Sequence, residues 1–239
     1  MSLRSAWIIL LFLLLGPIGV TVADSPEPGP VLVLGDSLSA DYGMPREAGW
    51  VALVEDRMRA QDDRRGVINA SISGDTTRSA RARLPDLLED FEPSVLILQL
   101  GGNDGLRGLP LEEMSANLAA LIEAGQQSGA RVILAGVRLP PNYGPQYARR
   151  FEQTYEDLAE AHDLVLIPRL LEGVDDRDEL MSEDGIHPSA SAQPVIADQV
   201  WSRLEPLLEA TRSSAGRSPD AFGVYAKALH NTRQNSNAP

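Results

Sequence analysis

The sequence predicts a three-layer α/β/α fold: a five-stranded parallel sheet with helices on both faces. Two observations carry that prediction. Short apolar, β-branched runs alternate along the chain with longer stretches whose apolar residues recur at helical spacing. Such alternation is what a parallel sheet with helical crossovers requires, because consecutive parallel strands need a long connection between them. Right-handed crossovers and adjacent neighbours make a doubly wound, flavodoxin-like strand order the economical topology. No internal repeat competes with that arrangement.

The elements follow in order. Arg4 precedes an apolar run from Trp7 to Leu15, then Gly16-Pro17, then Thr21-Val22-Ala23 before Asp24. A positive start, an apolar middle and small residues at the end make residues 1–23 a secretory signal, with cleavage expected after Ala23. The run from Trp7 to Val22 is 16 residues long and interrupted by Gly-Pro, short of the roughly 20 that a membrane span needs. The expected location is therefore periplasmic or secreted, with no integral span once the leader is removed. Residues 24–30 read as a Pro-rich linker.

Strands are expected at Val31–Leu34, Val67–Asn69, Val95–Gln99, Val132–Gly136 and Val165–Pro168. Helical spacing links Trp50, Val51, Val54 and Met58; Leu84, Leu87, Leu88 and Phe91; Leu118, Leu121 and Ile122; Tyr155, Leu158 and Ala159; and Val195, Val200, Leu204 and Leu208. One domain spans 31–211. From 212 to 239 the composition turns to Ser, Gly, Asn, Gln and Pro, apart from an island at Phe222–Leu229, and a disordered tail is expected. His230 falls in that tail as a bystander.

Composition removes several function classes. A net charge of −13 argues against nucleic acid, whose phosphate backbone needs clustered Lys and Arg. The absence of cysteine removes disulfides, thiolate metal sites, a cysteine nucleophile and an N-terminal lipid attachment.

In an open α/β sheet, ligands bind outside the carboxyl ends of the strands, so the residues there are the candidates. The first strand ends in Gly35-Asp36-Ser37, which makes Ser37 the candidate nucleophile; the competing reading is an ordinary turn or helix N-cap. The second strand delivers Asn69 to Thr77, with Gly74 permitting a backbone approach. The third delivers Leu100-Gly101-Gly102-Asn103-Asp104-Gly105, whose Asn and Gly would also suit a turn. Late in the chain comes Asp184-Gly185-Ile186-His187-Pro188.

Acyl transfer by serine needs a base for the hydroxyl proton, a carboxylate to hold the imidazole, and donors aimed at the developing oxyanion. Of the three histidines, His187 is the candidate base by elimination, and Asp184 is close enough on a tight turn to meet the far imidazole nitrogen. The backbone amides of Ser37 and Gly74 and the side-chain amide of Asn103 are the candidate oxyanion hole. A helix after Ser37 is expected to add its N-terminal dipole. Two readings from other classes stay open at this level. Asp36, Asp75, Asp104 and Asp184 with His187 could ligate a divalent metal for phosphoester hydrolysis, and glycine-rich loops could hold an anion in a non-catalytic binding module.

These four segments resemble, in order, the four sequence blocks of the SGNH, or GDSL, hydrolases, and within them the periplasmic group with thioesterase, lysophospholipase and arylesterase activities. The likeness rests on Gly35-Asp36-Ser37-Leu38-Ser39-Ala40, on Gly74 in Ile72-Ser73-Gly74-Asp75-Thr76, on Asn103 in Gly101–Gly105, and on Asp184-Gly185-Ile186-His187-Pro188, and covers about residues 31 to 210. It implies the SGNH hydrolase fold and a serine esterase with an acyl-enzyme intermediate that works without metal or cofactor on a small acyl ester, thioester or lipid. It also implies that Ser37, Asp184 and His187 form the triad and that Ser37, Gly74 and Asn103 make the oxyanion hole. Through the loops Leu106-Arg107-Gly108 and Arg138 to Gly144 and the block residues themselves, it further sets Asp36, Leu38, Asp75, Asp104, Leu106, Arg107, Pro140, Asn142, Tyr143 and Ile186 on the substrate side. One departure is Asp41, where the group commonly has glycine. With no insertion long enough for a large lid, the acyl groove is expected to be shallow and open.

Overall fold

The structure is a computed structural model that describes residues 28–214. The expected signal, most of the linker, and the expected tail apart from residues 212–214 lie outside the described residues. Among them, five parallel strands form one sheet: β1 (Val31–Gly35), β2 (Val67–Asn69), β3 (Val95–Gln99), β4 (Arg131–Ala135) and β5 (Val165–Ile167), in the order β2-β1-β3-β4-β5. That is the doubly wound order the sequence predicts. Register is regular, with Val31 opposite both Val67 and Val95, Val95 opposite Arg131, and Ile133 opposite Val165.

The central strands explain the continuous apolar runs. Every residue of β1 and β3 is buried, because each face of the sheet meets a helical layer and leaves no wet side for alternation. α1 (Trp50–Ala60) packs with α6 (Gln193–Ser214); α2 (Thr77–Phe91) packs with α4 (Leu111–Gln127), which in turn meets α5 (Pro145–Ala161). α6 runs three residues past the expected end of the domain at 211. Each helix turns its predicted apolar stripe inward, for example Trp50, Val51, Val54 and Met58 on α1.

Two corrections concern the ends of strands. The expected helix after Ser37 does not form. Residues 36–40 make a tight turn in which the Ser39 and Ala40 amides both donate to the Asp36 carbonyl at 3.1 and 3.0 Å, and α1 begins only at Trp50. No helix dipole is aimed at Ser37 from that segment. Conversely, Gly102–Leu106, readable as a turn, is a short helix, α3. It starts from Gly101, whose φ of 106° favours glycine and where an added Cβ would stand 2.3 Å from the Tyr155 hydroxyl.

Long-range bonds hold the strand ends in place. The Trp50 indole N–H donates to the Leu38 carbonyl at 3.0 Å, and the Trp50 backbone N–H donates to Gln193 Oε1 at 3.0 Å. The buried start of α1 thereby fixes the turn beside Ser37 to α6.

Candidate active site

β1 runs into its turn with the Asp36 amide still on the sheet, donating to the Gln99 carbonyl at 3.2 Å. The next residue, Ser37, leaves the ladder half-buried at the carboxyl edge. His187 arrives from the other end of the chain on a loop between β5 and α6. A single antiparallel bridge, Met181 to Pro188, closes that loop, and the Ser182 N–H donates to the His187 carbonyl at 2.7 Å. Within the loop, Asp184 Oδ1 accepts the backbone N–H groups of Ile186 and His187, both at 2.9 Å. A tight turn organised around its own aspartate is what the Asp-Gly-Ile-His spacing encodes.

The two loops meet. His187 Nε2 lies 2.9 Å from Ser37 Oγ, and His187 Nδ1 lies 2.6 Å from Asp184 Oδ2. With the imidazole proton on Nδ1, the ring donates to the carboxylate and leaves Nε2 free to accept from the serine hydroxyl. The hydrogen bonds from the His187 and Ile186 amides, with that from the imidazole, push the Asp184 carboxyl down to about 2, so it is ionised throughout the neutral range. Tyr42 lays its ring against the imidazole, with centroids 4.3 Å apart at 32°; nothing in the sequence pattern singled it out.

Ser37, Gly74 and Asn103, the three candidate oxyanion donors, line the same cavity. Among the described residues, neither the Ser37 nor the Gly74 backbone N–H meets a protein acceptor. Gly74 has φ 83°, a conformation a side chain would strain. Asn103 stands on the first turn of α3, its Nδ2 at 3.4 Å from Asp36 Oδ2.

Asp36 is almost fully buried, and burial pushes its carboxyl up from 3.8 to about 6 against the opposing pull of the Leu38 N–H, which donates to Oδ1 at 3.1 Å. Beneath it, Gln99 Oε1 accepts from Ser39 Oγ at 2.7 Å and from the Asp36 amide at 3.3 Å.

Asp36, Ser37, Tyr42, Gly74, Asn103 and His187 line one cavity of about 330 Å³, within the size range of small-molecule sites. Of the residues expected on the substrate side, Asp36, Leu38, Leu106, Pro140 and Ile186 line it. The other five do not, and each has a reason. Asp75 is buried with its carboxylate paired to Arg83 and accepting from Ser79 Oγ. Asp104 accepts from the Thr77 amide at 3.0 Å and the Thr77 hydroxyl at 2.6 Å, tying α3 to α2. Tyr143 spends its hydroxyl on the Leu106 carbonyl at 2.7 Å. Asn142 points to solvent on a short 3₁₀ turn, and Arg107 reaches the Gly74 carbonyl instead. Leu139 lines the cavity from the Arg138 to Gly144 loop, and sequence reasoning missed Val137 beyond β4 and Leu171, Asp175 and Met181 beyond β5. They follow strand ends on the same edge, which is the only signal that could have found them.

The carboxylates proposed for a metal are dispersed, with Asp75 and Asp104 each occupied by protein donors. Among the described residues no group of three or more His, Asp or Glu side chains is placed to hold a metal ion. Asp41 sits at φ 55°, the left-handed conformation in which glycine is easiest, which accounts for the glycine common there in the resembling group.

Comparison with known proteins gives the family. The family model described as GDSL-like Lipase/Acylhydrolase matches residues 33–193. An esterase, TesA, of Pseudomonas aeruginosa is 44% identical over 178 residues, covering 74% of this chain and 89% of that protein. The thioesterase 1/protease 1/lysophospholipase L1 of Escherichia coli (strain K12) is 40% identical over 198 residues, covering 83% and 91%. The crystal structure of a psychrotrophic esterase, EstA, from Pseudoalteromonas sp. superposes with a TM-score of 0.72 at 39% identity, covering 76% of this chain and 99% of that one.

Proposed function

The chain belongs to the GDSL-like lipase/acylhydrolase family, and from that premise we propose that it hydrolyses carboxylic esters, acyl thioesters and lysophospholipids through an acyl-enzyme on Ser37. The observation that carries the reading is the continuous chain Ser37 Oγ to His187 Nε2 at 2.9 Å and His187 Nδ1 to Asp184 Oδ2 at 2.6 Å.

In the first half-reaction Ser37 Oγ attacks the substrate carbonyl carbon while His187 Nε2 takes its proton. The carbonyl oxygen becomes an anion, met by the N–H groups of Ser37 and Gly74 and by Asn103 Nδ2. Asp184, ionised and already bonded to Nδ1, stabilises the imidazolium. Collapse of the adduct breaks the bond to the alcohol or thiol, which leaves with the proton from His187. Water then repeats the sequence against the acyl-serine, giving up a proton to His187 and releasing the carboxylic acid as Ser37 recovers its own. The apolar wall of Val137, Leu139, Leu171 and Met181 suits an acyl chain. The lysophospholipid and thioester ranges rest on the likeness to the Escherichia coli relative. The reading of residues 1–23 as a leader puts the activity in the periplasm or outside the cell; no helix among the described residues is long and apolar enough to cross a membrane.

The test is hydrolysis of p-nitrophenyl esters from acetate to palmitate and of acyl thioesters by the mature protein, with Ser37→Ala and chelator-treated samples alongside. Turnover that resists chelator and falls by about a millionfold in Ser37→Ala is the expected result. Turnover that survives Ser37→Ala and dies with chelator would overturn it.

A further inference from the structure

We infer that Arg107 is a positioning residue that locks the two oxyanion-donating elements, the Gly74 loop and α3, to one another. This rests on the reading of Gly74 and Asn103 as oxyanion donors given above. The need for such a lock follows from the backbone. Beyond the end of β2, the Ala70 amide donates to the Val33 carbonyl at 2.9 Å and the Ile72 amide to the Gly35 carbonyl at 3.0 Å; the Asp75 amide then closes a turn onto the Ile72 carbonyl at 3.1 Å. From Asp75 onward the chain is held again, by the Arg83 pair and by the Thr76 capping box of α2. Between these anchors, Ser73 and Gly74 hold no backbone hydrogen bond of their own, and both are exposed. The Gly74 peptide sits at φ 83°, a conformation glycine leaves easily because no Cβ restricts it.

One bond crosses to this stretch. Arg107 Nη2 donates to the Gly74 carbonyl at 2.9 Å, and the same nitrogen is the single atom within 4 Å of the position a Gly74 Cβ would occupy, at 3.7 Å. The guanidinium thus holds the Gly74 carbonyl, while the Gly74 N–H has no protein acceptor among the described residues. Its own mooring is what makes the contact informative. Arg107 closes α3, its amide donating to the Asn103 carbonyl at 3.2 Å, so it rides one turn from the side chain that supplies the third oxyanion donor. The loop and α3 belong to strands separated by β1, roughly 10 Å apart at the sheet spacing. The buried Thr77–Asp104 pair already ties α3 to the start of α2 beside Asn103, and Arg107, from the other end of α3, adds a second tie at the Gly74 carbonyl itself. Arg107 does not line the cavity, so it acts through Gly74 and not on substrate.

A preorganised donor matters more in the transition state than in the ground state, where the carbonyl oxygen carries little charge. Arg107→Ala should therefore lower kcat about tenfold, the weight of one exposed charge-assisted hydrogen bond, with KM within about twofold. Arg107→Lys, which keeps a charged donor on a comparable stem, should recover most of that loss. Affinity for an alkylboronic acid, whose tetrahedral adduct on Ser37 presents an oxyanion, should weaken in Arg107→Ala by the same factor as kcat. Loss of that bond should lower the melting temperature by no more than a few degrees, which separates this effect from unfolding. Asn103→Ala is assayed in parallel. If Asn103→Ala slows turnover while Arg107→Ala leaves kcat and boronate affinity unchanged, the lock is wrong and the oxyanion site stands. If Arg107→Ala raises KM at constant kcat, Arg107 contacts substrate directly and the inference is overturned. Should neither variant affect kcat, the reading of the oxyanion donors itself falls.

Discussion

Two carboxylates flank the Ser37–His187 pair, and they live in opposite surroundings. Asp184 sits on an exposed turn with its side chain 42% accessible, accepts two backbone N–H bonds and the imidazole, and is pushed down to about 2. Asp36 is 2% accessible at the sheet edge, and the loss of solvent, partly offset by the Leu38 amide, pushes it up to about 6. The residue type is the same; the environment assigns the role. Asp184 is a permanent anion suited to holding a cation as it forms on His187. Asp36 is a carboxylate on the verge of protonation, in contact with Asn103 and with the turn that carries Ser37.

That contrast can be broken most severely at Asp184. Asp184→Asn keeps the shape of the turn but offers the imidazole an amide in place of an anion, and kcat should fall by about a thousandfold to ten-thousandfold, the size seen when a triad carboxylate is neutralised. Fluorophosphonate labelling of Ser37 should slow in parallel; labelling at the parental rate would remove Asp184 from the mechanism. Asn103→Ala comes next. Losing one oxyanion donor should lower kcat by about a hundredfold to a thousandfold, with an unchanged melting temperature marking a catalytic loss rather than a structural one.

Asp36 sharpens the comparison through pH. An acid whose folded pKa is raised binds protons more tightly when folded, so its contribution to stability is complete below about 3.8 and is lost as pH rises through about 6. The cost above that point approaches about 3 kcal/mol, taking about 1.4 kcal/mol per pKa unit. Asp184 has the reverse sign: its stabilisation is present above about 3.8 and is lost as pH falls toward about 2, and solvent screening keeps it small. Asp36→Asn should accordingly raise the melting temperature at neutral pH, by several degrees on the usual scaling, and lower kcat about tenfold because Asn103 loses its anionic partner. A melting temperature lower than that of the parent at pH 8 would contradict the strained-carboxylate account. The smallest effect is expected at Tyr42. Removing the ring against His187 in Tyr42→Ala should cost about twofold to tenfold in kcat/KM, in line with the modest energy of an aromatic contact.

Much of this site is legible in one dimension because its logic is local. Asp184 and His187 are three residues apart on a turn that the aspartate itself folds, and the strands that lead into Ser37 and Asn103 advertise their burial residue by residue. Direction is not local. Asp75 and Asp104 sit in the same short segments as Gly74 and Asn103, yet their side chains turn away into pairs with Arg83 and Thr77. Spacing identifies a loop, whereas the packing behind it decides which side chain faces the cavity. The missing helix after Ser37 is a similar case. Its turn closes locally on the Asp36 carbonyl but is held from outside by Gln99 and the Trp50 indole, which lie 62 and 13 residues from Ser37 in the sequence, beyond the reach of local propensity.

What the sequence by itself determined is the layered α/β architecture, the edge of the sheet where ligands gather, and the residue types brought to that edge. Hydrophobic periodicity and turn chemistry act over a few residues, so they are written into the chain directly. The tertiary structure alone decided the rest. It set the 2.9 Å approach of His187 to Ser37 across 150 positions, the burial that separates Asp36 from Asp184, and the apolar wall drawn from the loops beyond β4 and β5. It also supplied the Arg107 contact that joins two loops across a strand. Distances of that kind depend on how whole elements stack, and desolvation depends on everything within reach of a group, so neither exists until the chain has closed on itself.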